Sequence, residues 1–334
     1  MDSTFILVAI VIVVALVFDY INGFHDAANS IATIVATRVL TPFQAVLWAA
    51  VWNFAAFFFA GTAVASTVGK GLVDLNKIDT YVILAGLLGA ITWNLLTWWW
   101  GLPSSSTHAL VGGYGGAAIA RGGFGALLWG PQWQHTLMFI VLAPAMGFIM
   151  AYILMIAMFW IFRGFTPRKM DTWFRQLQLV SSALFSYSHG SNDAQKTAGI
   201  ITGVLVTSGY LKEFHVPWMV SLAAYLAIGL GTMSGGWRII KTMGGRLTRL
   251  KPRSGFCAET AAGMAILFAS HLGMSVSTTH TVAGAIAGVG SIQRVKAVRW
   301  GVAANIVWAW VLTIPAAGLV GWVSMKVLGF FVYR

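Results

Sequence analysis

The chain has 334 residues, of which 58% are hydrophobic and only 9% are charged. A soluble domain carries about 25% charged residues, so this composition excludes an ordinary soluble protein and predicts an integral membrane protein. The net charge of +12 does not indicate a nucleic-acid partner, because most of the positive charge lies in short loops between apolar segments. The single cysteine excludes an internal disulfide.

Apolar segments follow one another along the chain in two groups of five. Those of the first group are 4–36, 43–68, 80–101, 103–120 and 136–162. Those of the second group are 176–207, 216–237, 255–274, 276–292 and 300–328. A helix needs roughly 20 residues to cross a bilayer. We therefore predict an all-α membrane protein with a first repeat at 1–162, a basic cytoplasmic connector at 163–175 and a second repeat at 176–334.

Two polar motifs occur once in each group. The first reads Gly23-Phe24-His25-Asp26-Ala27-Ala28-Asn29-Ser30, and its partner reads His189-Gly190-Ser191-Asn192-Asp193-Ala194-Gln195-Lys196. The second reads Ser104-Ser105-Ser106-Thr107-His108, and its partner reads Ser275-Val276-Ser277-Thr278-Thr279-His280. Such residues are costly inside a bilayer, and duplicated polar breaks are typical of transporters whose binding site lies between two repeats.

The same motifs predict where helices break. We expect segments 4–36 and 176–207 to be interrupted at their Gly/His/Asp motifs. Segments 103–120 and 276–292 are short and begin with Pro or Ser/Thr, so we expect re-entrant elements there.

The positions of Lys and Arg predict the topology. They cluster in Arg163–Arg175, Arg238–Arg253 and Arg294–Arg299, and all three clusters should be cytoplasmic. One orientation satisfies all three if each repeat crosses the membrane an odd number of times. The two repeats are then inverted, and both termini are extracellular or periplasmic.

Asp26 and Asp193 occupy equivalent positions in the two copies of the first motif. A carboxylate at membrane depth must face a cavity, a cation or a proton, although capping of a half-helix is an alternative. Carboxylates with amides suit sodium, whereas the carboxylates alone equally suit protons. The candidate coupling-ion residues are Asp26, Asp193, His25 and Glu259. The candidate sodium ligands are Asp26, Asn29, Asn192 and Asp193.

The hydroxyl clusters of the second motif each precede a Gly- and Ala-rich segment. A helix start of this kind offers hydroxyls, free N–H groups and the positive end of the helix dipole to an oxyanion. Ordinary capping with tight helix packing is the alternative. The candidate anion ligands are Ser105, Ser106, Thr107, Ser277, Thr278, Thr279, Asn29 and Asn192.

The remaining polar residues of the motifs receive supporting roles. Lys196 stands where the first motif has Asn29, and its candidate partners are Asp193, Glu259 and the anion. The spacing of the histidines matches no zinc motif, and the chain has no Walker A loop or nucleophile elbow, which argues against an enzyme. The supporting candidates are His108, His280, Lys196, Gln195 and His189.

At these four motifs, and over nearly its whole length, the chain resembles the inorganic phosphate transporter (PiT) family. His25 takes the place of an Asn that is common in the family, as in members resembling the bacterial low-affinity phosphate transporters, and this favours protons over sodium. The resemblance implies inverted repeats, phosphate held by the hydroxyls of both re-entrant segments, and essential acids matching Asp26, Asp193 and Glu259.

We therefore expect a symporter that moves inorganic phosphate by alternating access, driven by a proton or sodium gradient. A transporter of sulfate or another oxyanion and a passive anion channel remain alternatives. The expected location is the inner or plasma membrane, with several crossings. The expected partners are the lipid bilayer and phosphate, either free or as a metal–phosphate complex, with no nucleic acid and no cofactor besides the coupling cation. A homodimer is left open.

Overall fold

The computed structural model describes residues 3–332, and these residues are almost entirely helical, as the sequence predicts. In this part of the chain the first group of helices is α1 (Ser3–Ala36), α2 (Pro42–Ala55), α3 (Ala63–Gly71), α4 (Thr80–Trp100), α5 (Ser106–Gly122) and α6 (Pro131–Ile161). The second group is α7 (Pro167–Thr207), α8 (Trp218–Ser234), α9 (Trp237–Lys241), α10 (Pro252–His271), α11 (Thr278–Gln293) and α12 (Trp300–Val332).

Several helices are suited to crossing a membrane. Among the described residues, α1, α4, α6 and α12 are long and apolar enough to do so. The bent pair of α2 with α3 and the bent pair of α8 with α9 raise this number to six if each pair counts as one span. Helix α7 has 41 residues, which at about 1.5 Å per residue exceeds the thickness of a bilayer, although its central motif is polar. The protein is therefore a multi-pass membrane protein.

The two groups of helices pack in matching ways. Helix α1 packs on α8 as α7 packs on α2. Likewise α5 packs on α12 as α11 packs on α6, and α4 packs on α12 as α10 packs on α6. In each of these pairs, a helix of one half packs on a helix of the other half. The two halves are therefore related by an approximate two-fold axis, and both pairs of polar motifs lie at their interface.

Helices α1 and α7 run antiparallel. The C-terminal end of α1 lies beside the N-terminal part of α7, since Thr37 Oγ1 donates to Gln178 Oε1 over 2.8 Å. Towards the opposite end, Val11 of α1 and Val204 of α7 belong to the same core cluster. The two repeats are consequently inverted, as the charge pattern predicts.

The three basic loops gather at one end of the helix bundle. The N–H of Arg299 donates to the carbonyl of Leu247 over 3.0 Å, which joins the second loop to the third. Phe174 and Phe256, at the starts of α7 and α10, meet edge to face with ring centroids 5.4 Å apart. The start of α1 and the end of α12 lie at the opposite end. One orientation therefore places all basic loops on the same side of a membrane.

Helices α1 and α7 are continuous through their polar motifs, so the prediction that segments 4–36 and 176–207 are interrupted there is wrong. The motif glycines instead allow close contact between helices. A Cβ at Gly23 would collide with the carbonyl oxygen of Ile228, and one at Gly190 would collide with that of Asn53. Backbone groups can approach this closely only where the side chain is absent.

The helix breaks lie elsewhere in the fold. Helices α2 and α3 meet at 86°, and α8 meets the helical stretch Trp237–Arg246 at 59°. These breaks occupy matching places in the two repeats. The fold therefore contains broken helices, as predicted, but the breaks lie outside the aspartate motifs. The predicted connector 163–175 is also mostly helical, because α7 already begins at Pro167.

Helices α5 and α11 are short and begin in the interior of the protein. They contain 17 and 16 residues, or about 24–26 Å at 1.5 Å per residue, which is less than the thickness of a hydrocarbon core. Ser105 caps α5 by accepting the N–H of His108 over 3.2 Å. Ser277 caps α11 by accepting the N–H of His280 over 3.3 Å. The predicted re-entrant segments thus start as capped half-length helices.

The close contact at Gly190 gives a direct test of the packing between α7 and α2. We expect Gly190→Val to lower the free energy of unfolding by about 1–3 kcal/mol, because the added atoms must push α7 away from the backbone of α2. Gly125→Val is the matched control, since no atom lies within 4 Å of a Cβ built at Gly125. Equal thermal midpoints for the two purified variants would contradict this packing.

Candidate functional site

The two aspartates lie close together where α1 meets α7. His189 Nε2 is 3.9 Å from Asp26 Oδ2 and 3.5 Å from Asp193 Oδ2, and all three side chains are buried. One ligand atom from each of them lies within 4.8 Å of the others. Two carboxylates and an imidazole at this spacing can share a proton or bind a cation.

Besides His189 of α7, side chains of α1, α4 and α11 surround Asp26. His25 Nδ1 donates to Asp26 Oδ1 over 2.8 Å, while His25 Nε2 lies 3.1 Å from Thr97 Oγ1 of α4. Thr278 Oγ1, in the first turn of α11, donates to Asp26 Oδ2 over 3.5 Å. Asp26 therefore connects the first repeat to the hydroxyl cluster of the second.

The orientation of His189 follows from its hydrogen bonds. Thr232 Oγ1 donates to the carbonyl of Ile228 over 2.8 Å, so it accepts from Asn53 Nδ2 over 3.0 Å. This leaves Asn53 Oδ1 facing His189 Nδ1 at 3.0 Å, and that nitrogen must carry a hydrogen. His189 Nε2 then points at the two aspartates, and none of the described residues forms a hydrogen bond with it.

Lys196 is buried and pairs with Asp193. Its Nζ donates to Asp193 Oδ1 over 2.7 Å, to the carbonyl of Val276 over 3.2 Å and to Thr107 Oγ1. Asp193 also accepts from Asn22 Nδ2 over 3.3 Å. Of the partners that the sequence left open for Lys196, the structure provides Asp193.

The starts of α5 and α11 face each other across the two-fold axis. The rings of His108 and His280 meet with centroids 4.7 Å apart, and His280 also stacks on Trp310. Asn29 Nδ2 donates to Thr279 Oγ1 over 2.8 Å. Ser106 Oγ is buried and has no hydrogen-bond partner among residues 3–332. Two helix N-termini with their hydroxyls thus converge beside the aspartates and form a place for an anion.

Glu259 lies in a separate buried network. It accepts hydrogen bonds from Gln178 over 3.0 Å, from Ser181 over 2.5 Å and from Thr33. It is fully buried, and Lys196 is not its partner. His108 and His280 are equivalent in the two repeats. Leu87 precedes His108 by as many residues as Glu259 precedes His280, so this network exists in one repeat only.

Two of the predicted residues mainly connect helices. Asn192 Nδ2 donates to Ser270 Oγ over 2.7 Å and to the carbonyl of Met274 over 3.3 Å, which ties α7 to the segment before α11. Gln195 Oε1 accepts the N–H of Val64 over 3.0 Å at the start of α3. The donor groups of Asn192 are therefore occupied, and the Gln195 amide contacts the start of α3 instead of the aspartates.

Three residues near the aspartates were not predicted as site residues. They are Asn22, which contacts Asp193, Asn53, which orients His189, and Thr97, which contacts His25. Asn53 also connects helices, since it contacts Thr232 of α8 and His189 of α7. A lone amide in an aromatic segment was the available signal, but the sequence does not show which histidine it meets.

The surroundings of the site differ on its two sides. A cavity of about 310 Å³ reaches Ser191 and Ser270, next to Asn192. Phe24 and Trp98 occupy the equivalent positions of the first repeat and meet edge to face at 5.3 Å. Arg238 lies over the ring of Trp99 at 4.3 Å and donates to its carbonyl over 2.7 Å. The cavity therefore reaches the surroundings of Asn192, whereas aromatic rings fill the equivalent place in the first repeat.

Inverted membrane repeats with polar sites at their interface are typical of transporters. Residues 22–321 match the phosphate transporter family, PHO4, and the chain belongs to this family. The resemblance seen in the four motifs is thereby confirmed.

The chain is similar to probable low-affinity inorganic phosphate transporters of bacteria. That of Rhizobium meliloti (strain 1021) is 53% identical over 323 residues, covering 96% of each chain. That of Bacillus subtilis (strain 168) is 42% identical over 332 residues, covering 98% of this chain and 99% of the relative. These relatives are transporters, which confirms the prediction that the chain is not an enzyme.

The fold is similar to the solved structure of the sodium-dependent phosphate transporter. The TM-score is 0.90 at 25% sequence identity, and the match covers 98% of this chain and 100% of the other. The arrangement of the helices described above is therefore shared with a phosphate transporter of known structure.

Proposed function

We propose that the chain is a symporter that carries inorganic phosphate together with a proton or sodium ion. The observation that carries the proposal is the convergence of two capped helix N-termini on a buried centre with two carboxylates. Membership of a phosphate transporter family supports phosphate as the substrate. Ser106, Thr107, Thr278 and Thr279 are the residues that hold it, through hydroxyls and backbone N–H groups.

Electrostatics couples the two substrates. Phosphate near neutral pH carries one to two negative charges, and Asp26 lies beside the hydroxyls that would bind it. Two unit charges about 4 Å apart repel by about 4 kcal/mol at an effective dielectric constant of 20. A cation or proton at Asp26 removes this repulsion, so each substrate strengthens the binding of the other.

The coupling ion binds at Asp26, on the side of this carboxylate that faces His189 and Asp193. His189 Nε2 faces both carboxylates, so a proton or a cation at this point links the two repeats directly. The similar protein of known structure is sodium-dependent, which supports a coupling cation in this fold. The imidazole and the substitution at His25 favour a proton in this chain.

The same set of ligands suggests a second form of the substrate. Asp26, His189 and Asp193 offer three atoms close enough to hold a metal ion. A metal–phosphate complex would place its cation there and its phosphate at the helix N-termini. The metal would then be cargo and would leave with the phosphate.

Alternating access explains the difference between the two sides of the site. The cavity at Ser270 is open, while the aromatic contact of Phe24 with Trp98 closes the equivalent place in the other repeat. Because the repeats are inverted, exchange of these two arrangements would open the site to the other face of the membrane. With the basic loops in the cytoplasm of the cell, both termini are extracellular or periplasmic.

Uptake of labelled phosphate into proteoliposomes tests the proposal. The sodium and pH gradients are set independently, and unlabelled sulfate is added as a competitor. We expect accumulation above the external concentration that depends on one imposed cation gradient and resists sulfate. Strong competition by sulfate would indicate another oxyanion, and flux that never exceeds equilibration would indicate a channel.

A further inference from the structure

Lys196 is the clearest difference between two otherwise matching halves of the site. Counted from the paired aspartates, it occupies the position of Asn29. The two residues contact matching hydroxyls, since Asn29 donates to Thr279 and Lys196 donates to Thr107. One repeat therefore has a neutral amide where the other has a full positive charge.

The ammonium group of Lys196 is surrounded in the way a metal cation would be. Its three acceptors are a carboxylate oxygen of Asp193, the hydroxyl of Thr107 and the backbone carbonyl of Val276. Val276 lies just before α11, and carbonyl oxygens of such non-helical backbone are among the groups that transporters offer to sodium. A lysine that is only 2% exposed also requires a paired acid, and Asp193 lies one helical turn before it.

These contacts leave no donor for a direct bond to phosphate. An ammonium group has three N–H donors and no acceptor. Asp193, Thr107 and Val276 take one each. Lys196 therefore acts on an anion through its charge, as a bound cation would, and not as a ligand.

We propose that Lys196 is a tethered replacement for a coupling cation. Its ammonium group permanently occupies the cation position at Asp193, so that a mobile cation is bound only at Asp26. This inference rests on the proposed symport and specifies its stoichiometry. The chain takes one mobile cation per transport cycle, whereas a protein with amides at both positions takes one for each aspartate.

Sodium binding to the purified protein in nanodiscs tests this without relying on transport. Labelled sodium is titrated onto the wild type, Lys196→Asn, Lys196→Arg and the double variant Lys196→Asn with Asp193→Asn. We expect Lys196→Asn to bind one more sodium ion per protomer than the wild type. We expect Lys196→Arg to match the wild type and the double variant to lose the gain, because the gained site needs the Asp193 carboxylate.

Phosphate affinity gives the second measurement. In Lys196→Asn we expect phosphate binding to be weakened about tenfold or more without sodium and restored by saturating sodium, since the ion replaces the lost charge. An unchanged sodium count in a folded Lys196→Asn protein would overturn the inference. So would phosphate affinity that sodium does not restore, because that result would make Lys196 a phosphate ligand.

A second amide variant and a measurement that is independent of transport complete the test. Lys196→Gln serves as a second amide variant if Lys196→Asn does not fold, as judged by size exclusion and thermal midpoint. If the wild type does not take up phosphate, the proposed function is contradicted but the inference on Lys196 is not. The number of bound sodium ions can still be compared between the wild type and Lys196→Asn, because it is measured without transport.

Discussion

Asp26→Asn is expected to abolish concentrative phosphate uptake while preserving phosphate binding. Lys196 already neutralises Asp193, so Asp26 is the acid whose charge must be balanced by a mobile cation. Asparagine has the same shape and no charge, which mimics the cation-loaded state. Phosphate then binds without its co-substrate, and the coupling between the two is lost.

Two assays on the same proteoliposomes separate these effects. Uptake driven by a proton or sodium gradient should fall by about a hundredfold, near the upper end of coupling effects between two ligands. Exchange of internal for external phosphate should continue, because it needs binding and reorientation but no gradient. Asp74→Asn is the control, since this carboxylate lies in a loop, where it pairs with Lys77 at 3.5 Å and accepts the N–H of Asn76 over 3.1 Å. Normal gradient-driven uptake by Asp26→Asn would exclude Asp26 as the coupling acid.

The repeat architecture could be predicted because it depends on patterns that survive in a single sequence. Duplicated motifs and the distribution of Lys and Arg indicated two inverted halves, and the structure shows α1 and α7 antiparallel with the basic loops at one end. These patterns reflect the cost of placing polar and charged groups in lipid, which does not depend on the details of packing.

The helix breaks could not be located in the same way. Gly23 and Gly190 look like helix breakers in sequence, yet both lie within continuous helices. Both glycines leave room for the backbone of a helix that is distant in sequence. The local sequence does not indicate which helix that is. The polar residues beside them are satisfied across helices, as the contact between Asn53 and His189 shows.

The partners of single charged residues could not be predicted from the sequence either. Glu259 and Lys196 were each compatible with several partners, because a sequence gives no distances between helices. The structure separates them, with Glu259 among the hydroxyls and amide at the basic end of α7 and Lys196 at Asp193. Only the matching of Lys196 with Asn29 could be inferred from sequence alone, and it required that the repeats be recognised first.

Ser106→Ala is expected to weaken phosphate binding and, in the absence of phosphate, to stabilise the protein. The Ser106 hydroxyl is buried at the start of α5 and has no partner in the described part of the chain, which is costly unless an anion accepts its hydrogen bond. A hydrogen bond to a charged group contributes about 1.5–3 kcal/mol, so the dissociation constant should rise about tenfold to a hundredfold. Titration calorimetry with phosphate and thermal unfolding without it provide the two measurements.

Ser186→Ala separates the anion site from a general effect of buried hydroxyls. Ser186 Oγ is also buried without a partner, but it lies in α7 about two helical turns from Asp193 and away from both helix N-termini. Both variants should therefore raise the thermal midpoint, whereas Ser106→Ala alone should weaken phosphate binding. Adding Thr278→Val at the matching position of α11 should weaken binding further, because both helix N-termini hold the same anion. Equal phosphate affinity in Ser106→Ala, Ser186→Ala and the wild type would mean that the start of α5 is not part of the phosphate site.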